Sequence, residues 1–230
     1  ESPYDLLTLQ INRRELLRLS REFDFPILED ECYADLLWNS KRPIALAAMD
    51  NGNRVIHCGS FSKTIAPALR VGYLVADWHL LSQILAVKND SGTGALEQMM
   101  LAEYCVNHFD DHVNKLSSTL KDKLETLVEA VKVYFGTSAE FEVPEGGIFL
   151  WVSLPEHVDT IRLSQLAAKE GIAINPGPEW STDTKPASSK LRLCFGHPSK
   201  KIIEEGVSKL AEICHQEFGV PLRGANRIRS

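Results

Sequence analysis

In the stretch "HCGSFSKTIAPALRVGYLVA" (57–76), one lysine, Lys63, stands among small hydroxyl residues between two apolar runs. A lysine is ordinarily a hydrated surface cation. Shielded from water, or set near other cations, its amine gives up its proton more readily and can attack a carbonyl carbon. Ser60 and Ser62 precede it, and Arg70 follows. Hydroxyls and a guanidinium are suited to holding a phosphate, by hydrogen bonds and by charge. The set reads as an amine that bonds to an aldehyde while its neighbours grip a phosphate on the same molecule.

A second stretch, "LEDECY" (28–33), supplies what such a molecule would need next. Asp30 ends a strand-like run, and ligands of open α/β sheets bind at the carboxyl ends of strands. A carboxylate there keeps a pyridine nitrogen protonated. The phenol of Tyr33 can bond a ring hydroxyl. An aldehyde, a phosphate and a protonated pyridine together describe pyridoxal phosphate, an electron sink for carbanions that is held by a lysine. Taken singly, the residues have plainer readings. Asp30 can cap a helix, and Tyr33 can be a core aromatic whose hydroxyl finds a backbone partner.

The elements that must position these groups follow from the hydrophobic pattern. A helix is expected over 12–23 with Leu16, Leu19 and Phe23 on its buried face. Strands are expected over 25–30, 54–58 and 70–76. Asp77 is placed to cap a helix through 88. "NDSGTG" breaks the chain, a helix follows to about 107, and a long one runs over 111–135 with "FDDHV" as its acidic start. After Gly136 the pattern changes. Strands are expected over 140–143, 148–152, 172–174 and 191–195, a helix over 160–169, and a last helix over 199–218. Its inward positions are Ile202, Ile203, Val207, Leu210, Ile213 and Cys214.

Composition narrows the function classes. The net charge of −6 argues against broad nucleic-acid binding by this segment. No apolar run reaches the roughly 18 residues of a membrane span. The five cysteines contain no C-x-x-C pair and read as free thiols of a reducing cytoplasm. The seven histidines show no ligand spacing, so no metal site is expected.

The stretches "LEDECYADLLW", "GSFSKTIAPALRVGYLVA", "PEGGIFLWVSLP", "GIAINPGPEW" and "LRLCFG" together resemble the class I/II aminotransferases of pyridoxal-phosphate fold type I. The likeness runs from about 12 to 218. It is greatest to the branch holding aminoadipate- and kynurenine-type aminotransferases and the MocR-type regulators. The resemblance implies an α/β fold: the C-terminal part of a large cofactor domain, a mostly parallel sheet with helices, plus a small α+β C-terminal domain. The expected limits are 1–130 for the partial large domain, 131–220 for the small one, and 221–230 for a flexible tail.

The resemblance also assigns roles. Lys63 is the Schiff-base lysine and proton shuttle, Asp30 pairs with the pyridinium nitrogen, and Tyr33 bonds the ring hydroxyl. Ser60, Ser62 and Arg70 hold the phosphate. Arg192 matches the arginine that grips the substrate α-carboxylate, a bidentate task suited to a guanidinium; read alone it can be a structural ion pair. "NPGPEW" matches a turn near the substrate entrance. The implied activity moves an amino group between an amino acid and a 2-oxo acid, in a cytoplasmic homodimer. Family members carry a preceding half-domain, so the chain is expected to be a C-terminal portion. Two alternatives share the scaffold. One is the effector domain of a MocR/GntR-type regulator whose winged-helix domain binds DNA. The other is a lyase or decarboxylase.

Overall fold

Strands β1 (Ile27–Asp30) and β2 (Val55–Ser60) run parallel, and β3 (Gly72–Val75) returns antiparallel beside β2. They form a three-stranded sheet of order β1-β2-β3 in a computed structural model that describes residues 6–38 and 42–222. Most of the expected tail, residues 223–230, lies outside the described residues. The chain divides into two compact units, 1–114 and 115–230. The division falls inside a long helix.

In the first unit, helix α1 (Leu6–Glu22) covers one face of the sheet. Leu17 packs with Ile27 of β1, Val55 of β2 and Leu46 of the short helix α2 (Leu46–Met49). The buried stripe is Leu17 and Ser20, not the expected Leu16, Leu19 and Phe23; Leu16 and Phe23 are exposed. Arg13, one turn before Leu17 on the same face, reaches the Ile44 carbonyl and lies 3.8 Å from Glu29.

Glu29 is the pivot of that underside. Its carboxylate accepts from the amides of Leu46 (2.6 Å) and Ala47 (3.2 Å) and meets His57 Nδ1 of β2 at 3.1 Å. Burial pushes its pKa up, but the Leu46 amide, His57 and the Ala47 amide outweigh burial and hold it below the usual carboxylate value. A carboxyl lowered on folding stabilises the fold above its unfolded pKa, and that contribution is lost as the pH falls through the folded value. Glu29→Gln should therefore cost about 1–3 kcal/mol at neutral pH. It should also shrink the stability difference between pH 7 and about pH 3, read by urea unfolding at both.

Strand β3 departs from expectation. Its apolar sequence predicts burial, yet all four residues are exposed. It is an edge strand of this sheet with a neighbour only on the β2 side. Tyr73 lies across Gly59, and its ring occupies the space a Cβ at residue 59 would take. Helix α3 (Trp78–Val87) starts at Asp77 as expected, the carboxylate accepting from the His79 amide at 2.9 Å.

Helix α4 (Ala95–Tyr134) is continuous over 40 residues, where two helices were expected. Nothing in "NHFDDHV" (107–113) breaks a helix, because it holds neither glycine nor proline. "FDDHV" is thus mid-helix, and its acids start nothing. From Leu120 the stripe Leu120, Leu124, Leu127 and Val131 is buried as its spacing predicts.

The second unit holds an antiparallel sheet of order β4-β6-β5, made of β4 (Phe149–Ser153), β5 (Asn175–Pro176) and β6 (Lys190–Cys194). Helix α5 (Thr160–Lys169) begins on the Asp159 side chain, which accepts from the amides of Ile161 and Arg162. Its end explains one misplaced strand. Gly171 takes a left-handed φ of 77°, and the Ile172 amide bonds back to the Ala167 carbonyl. Residues 172–174 therefore close the helix, and pairing begins only at Asn175. The expected strand at 140–143 is reduced to one bridge, Glu140 to Ser153. A short helix α6 (Thr184–Ala187) precedes β6, and α7 (Lys200–Phe218) follows, capped by Ser199 and Gly219. Ile203, Val207, Leu210, Ile213 and Cys214 point inward as expected, but Ile202 is exposed. It sits in the first turn, where the Ser199 hydroxyl takes its amide.

Candidate functional site

Because β1 and β2 are parallel, their carboxyl ends share one edge of the sheet. Asp30 ends β1, Ser60 ends β2, and the antiparallel β3 brings Gly72 opposite Ser60. Arg70, just before β3, is returned to the same end. Six of the seven residues singled out from sequence are therefore gathered at one end of the sheet in the first unit: Asp30, Tyr33, Ser60, Ser62, Lys63 and Arg70.

The Lys63 turn is wound by backbone bonds. The Ile65 and Ala66 amides both reach the Phe61 carbonyl (2.9 and 3.1 Å), and the Phe61 amide reaches the Val71 carbonyl (3.2 Å). The Ser60 hydroxyl accepts from the Ser62 amide at 3.1 Å, which fixes the two serines relative to each other. Lys63 itself is exposed, with Nζ 5.8 Å from the centroid of the Tyr33 ring. Arg70 holds a left-handed backbone (φ 52°) that costs a non-glycine residue about 1–2 kcal/mol. Its guanidinium bonds the Pro67 carbonyl at 3.0 Å. Strain of this kind gathers at functional sites.

Asp30 is kept ionised by a neighbour the sequence reading passed over. The Cys32 thiol and the Cys32 amide (3.0 Å) both hydrogen-bond its carboxylate, which lowers its pKa. The carboxylate in turn pushes the Cys32 thiol up to about 11, so this thiol stays protonated as a donor. A short polar turn two residues past a strand-end aspartate was the available signal. Of the free thiols, Cys214 is buried, which raises its pKa to about 12, whereas Cys194 is exposed although its strand sequence is apolar. Among the described residues no group of histidine, cysteine and acid side chains could hold a metal ion.

Arg192 lies on β6 in the second unit, opposite Trp151 and Asn175. Its guanidinium carbon is 3.9 Å from the Phe149 ring centroid and 3.2 Å from that of Trp180. Its Nε is buried without a hydrogen-bond partner among the described residues. Among the described residues the guanidinium is flanked by two rings rather than by an ion-pair partner. They fix the plane of a fork whose donors suit a carboxylate. Trp180 is delivered by the "NPGPEW" turn, which needs Gly177: a Cβ there would meet the Ala187 and Lys190 carbonyls at 2.4 and 2.7 Å. Gly177→Ala should destabilise the second unit by about 1–3 kcal/mol, lowering its thermal midpoint and changing Trp180 emission.

The donor set at the sheet end fits a phosphorylated pyridine aldehyde. It offers an ionised carboxylate, a phenol, two linked serines, an arginine and an amine. Known proteins bear on this fit. Residues 11–210 match the family described as aminotransferase class I and II. An aromatic-amino-acid aminotransferase of Thermococcus litoralis is 29% identical over 95% of this chain and 53% of its own length. The HTH-type transcriptional regulator NorG of Staphylococcus aureus is 34% identical over 86% of this chain and 45% of its own. The α-aminoadipate aminotransferase LysN of Thermus thermophilus, solved with N-(5′-phosphopyridoxyl)-L-leucine, superposes with a TM-score of 0.85 at 26% identity. That match covers 93% of this chain and 56% of LysN. The chain thus spans about half the length of the curated relatives it matches.

Proposed function

The chain belongs to the class I and II aminotransferase family, and from that premise we propose that it is the lysine-bearing part of a pyridoxal-phosphate-dependent aminotransferase. The reaction would move an amino group between an amino acid and a 2-oxo acid. The observation that carries this reading is the convergence of Asp30, Tyr33, Ser60, Ser62, Lys63 and Arg70 at one sheet end. The cofactor, when bound, supplies an electron sink for negative charge at the substrate Cα.

This chain's residues then have separate tasks. Lys63 Nζ would hold the cofactor aldehyde carbon until the substrate amine displaces it, and the freed amine would then move the proton at Cα. The Asp30 carboxylate, kept ionised by Cys32, holds the proton on the pyridine nitrogen. The Tyr33 hydroxyl bonds the ring oxygen. Ser60, Ser62 and Arg70 grip the phosphate, and Arg192 binds the substrate α-carboxylate. In domain terms, the first part of the chain, to about 130, is a portion of the cofactor domain. Residues 131–220 form the small α+β domain. No described helix is long and apolar enough to cross a membrane, which fits a cytoplasmic enzyme. The intact protein is a homodimer in this reading.

Borohydride reduction of the full-length protein loaded with pyridoxal phosphate tests the proposal. Peptide mass spectrometry should find the reduced cofactor on Lys63. A label on another lysine, or none, overturns it.

The identity to NorG favours a second reading, a regulator in which this fold senses an effector. The coding sequence upstream of Glu1 separates the two. A basic winged helix of about 70 residues followed by a linker selects the regulator.

A further inference from the structure

The turn that carries Lys63 is held from outside by a helix the proposed chemistry does not use. On α4, His112 Nε2 lies 2.8 Å from the Thr64 carbonyl, and His112 Nδ1 lies 3.0 Å from the Tyr104 hydroxyl. A carbonyl only accepts, so Nε2 carries the proton. In the neutral ring Nδ1 is then an acceptor, and the Tyr104 hydroxyl donates to it. The two rings meet edge-on, at 5.7 Å and 82°. One α4 turn away, Phe109 packs edge-on against Phe61, which opens the same turn. Thr64 is almost fully buried, whereas Lys63 beside it is exposed. The Ile65 and Ala66 amides are spent on the Phe61 carbonyl, and the Thr64 carbonyl is taken by His112.

We propose that His112, oriented by Tyr104, is a positioning residue that fixes the carbonyl of Thr64, the residue after Lys63, and so sets where the lysine amine starts and how far it reaches. The inference rests on the reading of Lys63 as the covalent lysine. A long side chain delivers its amine accurately only from a fixed Cα. Among the described residues, the hydrogen bond to the Thr64 carbonyl is the one tie from a distant side chain to the main chain of the residue that follows Lys63. Misplacing a reacting group by about 1 Å can cost about 10²-fold in rate.

The test compares three variants of the full-length protein with the unsubstituted one. His112→Phe keeps a ring and loses the donor. His112→Gln replaces the ring but returns an N–H near the Nε2 position. Tyr104→Phe removes only the orienting hydroxyl. Amide hydrogen exchange of the 61–66 peptide is measured without cofactor, and kcat and KM are measured with it. His112→Phe should speed exchange across 61–66 and lower kcat about 10²-fold with little change in KM. His112→Gln should recover most of both effects. Tyr104→Phe should give the same pattern, with a drop in kcat of about 3–10-fold. If His112→Phe does not fold, the Tyr104→Phe and His112→Gln measurements decide alone.

Faster exchange with unchanged kcat makes the contact merely structural and overturns the inference, as does unchanged exchange. Both outcomes are separate from failure of the functional reading. That failure would appear as turnover surviving Lys63→Ala, whatever the His112 variants do.

Discussion

Lys63→Ala in the full-length protein should abolish transamination and leave no borohydride-stable cofactor label, while leaving the fold intact. The two halves of this expectation have different causes. Lys63 is exposed and its Nζ lies over the Tyr33 ring without entering the core, so its loss should change stability by no more than about 0.5 kcal/mol. Its chemical loss is larger. Positioned proton transfer alone is worth about 10²–10⁴-fold, and removal of the covalent anchor adds to that. Lys63→Arg sharpens the result. It keeps a cation at the turn, but a guanidinium does not give up its proton and cannot serve as the amine. If charge were the point, arginine would restore activity. The expectation is that it restores none, with thermal midpoints of all three proteins alike.

How much of this site could be read in the sequence follows from how local each signal is. The Lys63 segment was legible because a strand, a turn of small hydroxyl residues and a second strand follow one another without interruption, and each has its own residue pattern. Asp30 and Ser60 came together because parallel strands place their carboxyl ends on one edge, a rule of topology needing no side-chain detail. The role of Cys32 was one step harder. It depends on a turn folding the thiol back on Asp30, which the sequence permits but does not demand. The His112 contact was out of reach, since Thr64 and His112 are 48 residues apart and nothing local marks either.

The fold shows the same gradient. Helix α5 was placed to the residue because Asp159 caps its start and Gly171 stops it. The same glycine misled the strand after it, since the apolar 172–174 looks extended while its first amide is committed to closing the helix. Burial was the weakest expectation. The apolar run in β3 fits a strand covered on its faces, and this chain leaves it exposed. A pattern reports the surroundings a strand is suited to, and a chain spanning about half its relatives' length need not supply them.

Arg192 carries the second large effect, and it also separates amino-group transfer from the other chemistries the scaffold could host. Two rings hold its guanidinium, and its buried Nε lacks a protein partner among the described residues. A fork so fixed loses little freedom on binding a carboxylate bidentately. Hydrogen bonds to charged groups are worth about 1.5–3 kcal/mol each, so Arg192→Ala should raise KM for the amino acid by about 10²–10⁴-fold. Arg192→Lys should recover only part of this, because an ammonium keeps the charge and loses the plane. The decisive measurement uses a substrate pair, an amino acid and the amine of the same side chain without the α-carboxylate. The unsubstituted protein should prefer the amino acid strongly, and Arg192→Ala should treat the two nearly alike. In the proposed reading the contact would persist from bound substrate to transition state, so kcat should fall far less than kcat/KM. Were the variant to keep its preference, the carboxylate would be bound elsewhere and Arg192 would be a strand residue whose rings merely pack. A decarboxylase would differ again: it would release carbon dioxide from the group Arg192 holds, whereas this reading expects the product 2-oxo acid to retain that carboxylate.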